Sequence, residues 1–449
     1  MDDRTHHLLT APAMPLLIRL ATPNAAAFLI MSSVSIAEVW FIGRLGTTSI
    51  ASIALAFPLL MLMQTMSGGA MGGAVTSAIA RALGAGDRQR AARLIWHALA
   101  LALICATAFL VTFLALGRPF LAFLGGSGDV LEQALAYCTV LFFGGLGIWL
   151  IGIVGAVFRG MGNMKLPALL MVGSAIIQVP LSGVLVLGLL GVPQFGITGA
   201  ALSAVATGFL ISGAMLWKLA LPGQAIQLER SSMVLSRALF RDILKVALPA
   251  SLSPLLTITI ILSLTAMVAT FGDAALAGYG IGSRIEFLLI PLVFGFGAAM
   301  TSLVGVSIGA RNIQRAELIG WTGSAFSAAL AGSVGLLLAA FPEAWIYAFT
   351  DDLATYEAAH GFIRIVGPCF AFQGLGLSLY FASQGAGAMT WPIAATVVRV
   401  LLAVGGAWLL AFWLDMGVDG IFIATAVAMA MFGVMIASSL KLGAWRGQL

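Results

Sequence analysis

Charge is what this chain lacks most: Asp, Glu, Lys and Arg together make up 9% of its 449 residues, against about 25% in a soluble domain. So little charge cannot keep a folded surface wet, which excludes a protein built of aqueous domains. Cysteine is nearly absent too. Cys105, Cys138 and Cys369 stand singly in apolar surroundings, without a CxxC pair or Cys/His ligand spacing, so they read as small hydrophobes and nothing supports disulfide, zinc or iron–sulfur chemistry. The His and Cys positions are scattered and suggest no nucleophile/base pair, so the chain is not expected to be an enzyme. The glycine-rich stretch SGGAMGGAVTSAIA (67–80) is not followed by GKS or GKT, which removes a phosphate-cradling loop. The N-terminus lacks the charged, apolar, A-x-A order of a cleaved signal, so the first apolar span is expected to be retained.

What the chain has is apolar length. It is 61% hydrophobic, with a mean hydropathy of +1.07, 53 Gly, 27 Phe and 19 Met. Runs near the roughly 20 residues that cross a hydrocarbon core recur from end to end. They predict twelve transmembrane helices, at 16–42, 48–80, 93–116, 131–157, 167–190, 197–217, 246–270, 274–308, 318–341, 355–382, 392–413 and 419–440. The spans at 48–80 and 274–308 exceed a simple crossing, and their internal Gly and Pro make bending plausible. With loops assigned to alternate sides, 17 of the 22 Lys and Arg fall on the side of both termini, while the other side holds only Arg44 and Arg118 and collects nine acids. The positive-inside bias predicts a multi-pass protein of the cell's inner membrane with cytoplasmic termini. The net charge of +5 then follows from topology and implies no nucleic-acid partner.

The chain also repeats itself. ARALGAGDRQRAARL (80–94) aligns with VSIGARNIQRAELIG (306–320), RGMGNMKLP (159–167) with QGAGAMTWP (384–392), and GRLGTTSIASIAL (43–55) with ATFGDAALAGYGI (269–281). The unit is six helices used twice. Because six is even, the copies are parallel repeats about an axis along the membrane normal, the arrangement with which transporters build a central site open to either side in turn. The expected domains are an N-terminal lobe at 1–217, a cytoplasmic connector at 218–245 whose basic residues face lipid headgroups, and a C-terminal lobe at 246–449.

Few ionisable residues lie inside the spans: Glu38, Arg284, Glu286, Arg364 and Arg399. A charge at the bilayer centre costs about 2.5–3.5 kcal/mol or more, so each is expected to face protein or water. Glu38, in SIAEVWFIG near the outer end of the first span, is the foremost cation-coupling candidate. An acid among apolar side chains suits proton uptake at one face and release at the other, and as a carboxylate it could instead hold Na⁺ or a cationic substrate, or simply pair with an Arg. Arg284 and Glu286, two apart, do not share a helix face. Arg284 is expected to reach an acid or carbonyls across a cavity, Glu286 to line the second lobe, and Arg399 to balance charge there. Gln64 and, one turn apart, Gln178 and Ser182 are polar side chains in apolar spans, placed either to hydrogen-bond across helices or to line a cavity. Gly68, Gly69, Gly72 and Gly73 give small-xxx-small faces for tight helix packing.

Taken in order, FIGRLGTTSIASIALAFP, IARALGAGDRQRAARL, FRGMGNMKLP and GITGAALSAV, with GDAALAGYGIGSRIEFLLIP, GVSIGARNIQRA and SQGAGAMTWP in the second half, resemble the multidrug and toxic compound extrusion (MATE) family from about 15 to 440. The resemblance implies an all-α polytopic fold, a V-shaped pair of six-helix lobes, and monomeric antiport of organic, often cationic and amphipathic, compounds against protons or Na⁺, with no cofactor beyond the ion gradient. By position, the family's acid in the first span falls on Glu38, an Asp-to-Glu departure, and its polar positions in the fifth span fall on Gln178 and Ser182, the latter unable to supply a carboxylate. The sodium-coupled type carries a Glu eight residues after a Pro in the seventh span; here Pro249 is followed at that place by Thr257. The pattern is closer to the DNA-damage-inducible branch, which favours protons. A Na⁺-coupled exporter, or a lipid-linked oligosaccharide flippase using Arg284, Arg364 and Arg399, is the alternative.

Overall fold

A computed structural model describes residues 3–448, and among them the regular structure is helical. After a short α1 (Asp3–Thr10) come α2 (Ala13–Gly43), α3 (Thr47–Gly84), α4 (Arg88–Phe123), α5 (Gly128–Phe143), α6 (Gly145–Gly160), α7 (Lys165–Leu187) and α8 (Ile197–Ala220). The second half holds α9 (Arg237–Ala269), α10 (Asp273–Gly309), α11 (Ile313–Ala340), α12 (Leu353–Ala386), α13 (Thr390–Trp413) and α14 (Gly417–Lys441). Eleven of these are long and apolar enough to cross a membrane, and α5 with α6, bent by 51°, brings the number to twelve if the pair counts as one span. The bend sits at Gly144. A Cβ there would collide with the Val205 side chain of α8, so glycine leaves room for that side chain against the bend.

The described residues form two compact units. The first runs through Ala26–Ala247, and the second joins His6–Ala25 to the chain from Leu248 onward. The division therefore differs from the expected boundaries at 217/218 and 245/246: it falls inside two helices, in α2 beside Pro23 and in α9 beside Pro249. Packing is the reason. Gly295 of α10 lies so close to Ala25 that a Cβ would stand 2.8 Å from it, and Arg315 donates to the carbonyls of Leu8 and Ala11. These contacts draw the start of α2 into the second unit. The connector before α9 is in turn fastened within the first.

Each unit is centred on its fourth span. In the first, α6 packs on α3, α4 and α8; in the second, α12 packs on α10, α11 and α14. The repeat extends to individual bonds. Thr76 donates its hydroxyl to the Ala156 carbonyl at 3.0 Å, and Thr301 donates to the Phe381 carbonyl at 2.9 Å. Asp87 caps α4 by accepting from the Arg90 amide at 2.8 Å, and Asn312 caps α11 by accepting from the Arg315 amide at 3.0 Å. Gly162 and Gly387 follow the fourth and tenth spans with φ of 71° and 77°. The aligned motifs are thus turn and cap chemistry required at the same place in both copies.

Candidate functional site

Glu38 lies on α2 among lipid-compatible side chains: Ile36, Val39 and Trp40 are exposed, while Glu38 itself is half-buried. It turns toward α7, where Gln178 donates Nε2–H to Glu38 Oε1 at 2.9 Å. The helices approach closely just beyond, since a Cβ on Gly183 would stand 2.8 Å from the Phe41 ring. One turn after Gln178, the Ser182 hydroxyl is fully buried and has no hydrogen-bond partner among the described residues. Tyr137 of α5 is buried nearby, within range of the Glu38 charge. Among the described residues Glu38 makes no ion pair; pairs that do form include Arg81 and Arg90 with Asp242, Arg118 with Glu132, and Arg446 with Glu317.

That difference bears on the two readings of the sequence. A structural carboxylate would be held by an Arg or Lys, and protonating it would break the pair. Glu38 faces only neutral donors, so it can accept a proton, an alkali cation or an organic ammonium without displacing a protein cation.

The second unit assembles a separate group. Glu286 of α10 lines a cavity of about 10 Å³ with Leu289, Ile290, Val293 and Gln373, whose Oε1 is buried without a partner among the described residues. Glu286 and Arg399 of α13 interact through their charges, and the Arg399 guanidinium also lies 5.2 Å from the Phe432 ring centroid. Arg284 does not point to an acid: it is exposed, with its guanidinium 5.2 Å from the centre of the Phe349 ring. Gln64 is exposed at the turn before the π-helical segment Thr65–Met71. Thr257 returns its hydroxyl to the Ser253 carbonyl of its own helix at 2.9 Å.

Sequence reasoning thus brought Glu38 and Gln178 together through the positions of the fifth span, but passed over Tyr137 and Gln373. Their only signal was a polar atom inside an apolar span. The small residues of 67–80 do pack tightly: Ser67 donates to the Trp149 carbonyl at 3.3 Å, and a Cβ on Gly72 would stand 3.4 Å from the Gly152 carbonyl oxygen.

Comparison with known proteins agrees with this architecture. The MatE family model matches residues 23–184 and again 249–409, one match in each half. A curated FAD transporter of Shewanella oneidensis is 25% identical over 441 residues, covering 97% of this chain and 95% of that protein. The probable multidrug resistance protein NorM of Thermotoga maritima is 25% identical over 390 residues, covering 86% and 83%. A solved outward-facing multidrug resistance MATE transporter of the MOP superfamily superposes with a TM-score of 0.88 at 23% identity over 98% of both chains. A MOP superfamily transporter from Pyrococcus furiosus, whose description reports a reversed polarity of its binding pocket, gives 0.90 at 23% identity over 99% of both.

Proposed function

For a chain that belongs to the MatE family, and is therefore a membrane transporter of small organic compounds, we propose proton-coupled antiport in which Glu38 is the coupling carboxylate and the exported compounds are organic, cationic and amphipathic. The observation that carries this reading is the Glu38–Gln178 contact, 2.9 Å long and free of any protein cation. A hydrogen bond to a charged carboxylate is stronger than one to a neutral acid. Proton uptake from outside neutralises Glu38, weakens the hold of Gln178, loosens α2 from α7 and releases bound cation. Loss of the proton inward restores the contact and the affinity for the next cation.

The charge bias of the loops supports cytoplasmic termini in the inner membrane, and two six-helix lobes acting as a monomer suffice for the cycle. Thr257, bonded to its own backbone where sodium-coupled relatives carry an acid, supports protons over Na⁺ and a place near the DNA-damage-inducible branch. A second reading has an anionic cargo, as the Shewanella relative's name gives FAD for that protein; the exposed Arg284 supports it.

The test is efflux from proteoliposomes under a pH gradient or a Na⁺ gradient imposed separately, with ethidium as cation and FAD as anion. Ethidium export driven by the pH gradient supports the reading. FAD export without ethidium export replaces the cationic cargo with an anionic one.

A further inference from the structure

The connector between α8 and α9 is strapped to α4 at successive points. Trp96 donates its indole N–H to the Glu229 carbonyl at 3.0 Å, and the Ser236 amide donates to His97 Nε2 at 2.9 Å. His97 is fully buried, with the Phe240 ring 4.6 Å away and edge-on. Asp242 then takes Arg81 at 3.0 Å and Arg90 at 2.7 Å. Next to this strap lies a cavity of about 450 Å³, whose lining includes Arg88, Gln89, Arg93, Gln224, Gln227 and Ser232. The lining is rich in N–H and O–H donors. Its single acid, Glu229, is exposed and already accepts the Ser231 hydroxyl at 3.0 Å.

Two guanidinium groups with amide and hydroxyl donors make a receptor for a phosphate ester, because guanidinium matches phosphate oxygens in charge and geometry. What directs the choice between a dissolved ester and a lipid is the chain that follows. Met233, Val234 and Leu235 are consecutive, apolar and 59%, 49% and 54% exposed, between the exposed Arg230 and Arg237. Three adjacent apolar side chains flanked by basic residues fit the boundary between headgroups and acyl chains.

We infer that this cavity binds the phosphodiester headgroup of an anionic phospholipid, with Met233, Val234 and Leu235 seated among the acyl chains beside it. The bound lipid ties the connector to the bilayer at the point where the chain enters α9. The site is independent of Glu38 and of the ion that drives transport.

Native mass spectrometry of the detergent-purified protein tests this, with dioleoylphosphatidylglycerol, dioleoylphosphatidylcholine and glycerol 3-phosphate as probes. The full-length protein is expected to retain phosphatidylglycerol over phosphatidylcholine. The Arg88→Gln/Arg93→Gln variant is expected to lose at least about tenfold of that retention, given the usual contribution of basic residues at an anionic surface. A Lys165→Gln/Lys441→Gln variant removes equal charge from exposed positions outside the cavity and is expected to keep it. Should the double arginine variant fold poorly, Ser232→Glu keeps both guanidinium groups, adds a repelling charge and is expected to lose the lipid as well. Undiminished phosphatidylglycerol retention in a folded cavity variant overturns the inference. Displacement of the lipid by an equal concentration of glycerol 3-phosphate also overturns it, and assigns the cavity to soluble phosphate esters.

Discussion

Gln178 on α7 donates to Glu38 on α2 at 2.9 Å, joining two spans of the first unit through an acid that has no cationic partner among the described residues. In the proposed cycle the pair links protonation to helix packing. Gly183 and Phe41 bring the same two helices into close contact one turn away, so a change in the hydrogen bond is felt by the packed surfaces beside it.

Replacing Gln178 with Leu keeps the acid and the packing volume but removes the donor. A hydrogen bond to a charged group contributes about 1.5–3 kcal/mol, so transport driven by a pH gradient is expected to slow by about tenfold or more. Gln178→Asn, which retains a shorter amide, is expected to recover part of the rate. Proteoliposome efflux compares the three.

Gly385 lies in the last turn of α12 where Thr301 approaches, and a Cβ there would collide with the Thr301 carbonyl oxygen. Gly385→Ala is expected to destabilise the protein by about 1–3 kcal/mol through overpacking. Gly173, on α7, has open space at its Cβ, so Gly173→Ala is expected to be neutral or to stabilise by about 0.5–1 kcal/mol. Thermal unfolding in detergent distinguishes the two.

Glu286 and Arg399 act on each other through their charges in the second unit. Removing either alone leaves a half-buried charge without its counterpart, which is the costly case for buried pairs. Glu286→Gln and Arg399→Gln are each expected to lower the melting temperature by more than the combined variant does. A double-mutant cycle measures the coupling, and strict additivity contradicts a charge interaction between the two.

Asp352 caps α12, accepting from the Thr355 amide at 2.9 Å and the Thr355 hydroxyl at 2.7 Å. These bonds hold its carboxyl below its ordinary value. A depressed folded-state value means that the stabilisation is fully present above the ordinary carboxylate range, and is lost as pH falls through the lower one. The difference in melting temperature between the protein and Asp352→Ala is therefore expected to be constant from pH 6 to 8 and to shrink on strong acidification.

Much of this architecture is legible in the sequence, because hydropathy is a local average and a membrane span is a local requirement. The repeat is legible for a related reason: Asp87 and Asn312, or Gly162 and Gly387, are turn and cap residues whose type is dictated by nearby backbone. The break between α5 and α6 was not legible. It depends on the bulk of Val205, which is distant in sequence from Gly144. The same holds for the division of α2 between units, since Arg315 and Gly295 draw its start to the second unit from far along the chain. Glu38 stands out in the sequence because an acid in an apolar span is conspicuous. Gln373 and Tyr137 do not, because neutral polar groups raise no such signal until their neighbours are known.

In the proposed cycle Glu38 couples proton entry to export. Ethidium efflux from proteoliposomes, under a pH gradient alone and a Na⁺ gradient alone, with Glu38→Gln beside the unaltered protein, tests it most directly. Export driven by the pH gradient and abolished in Glu38→Gln is the predicted result. Export driven by Na⁺ that persists in Glu38→Gln would contradict the claim and move the coupling to the Glu286 and Arg399 group.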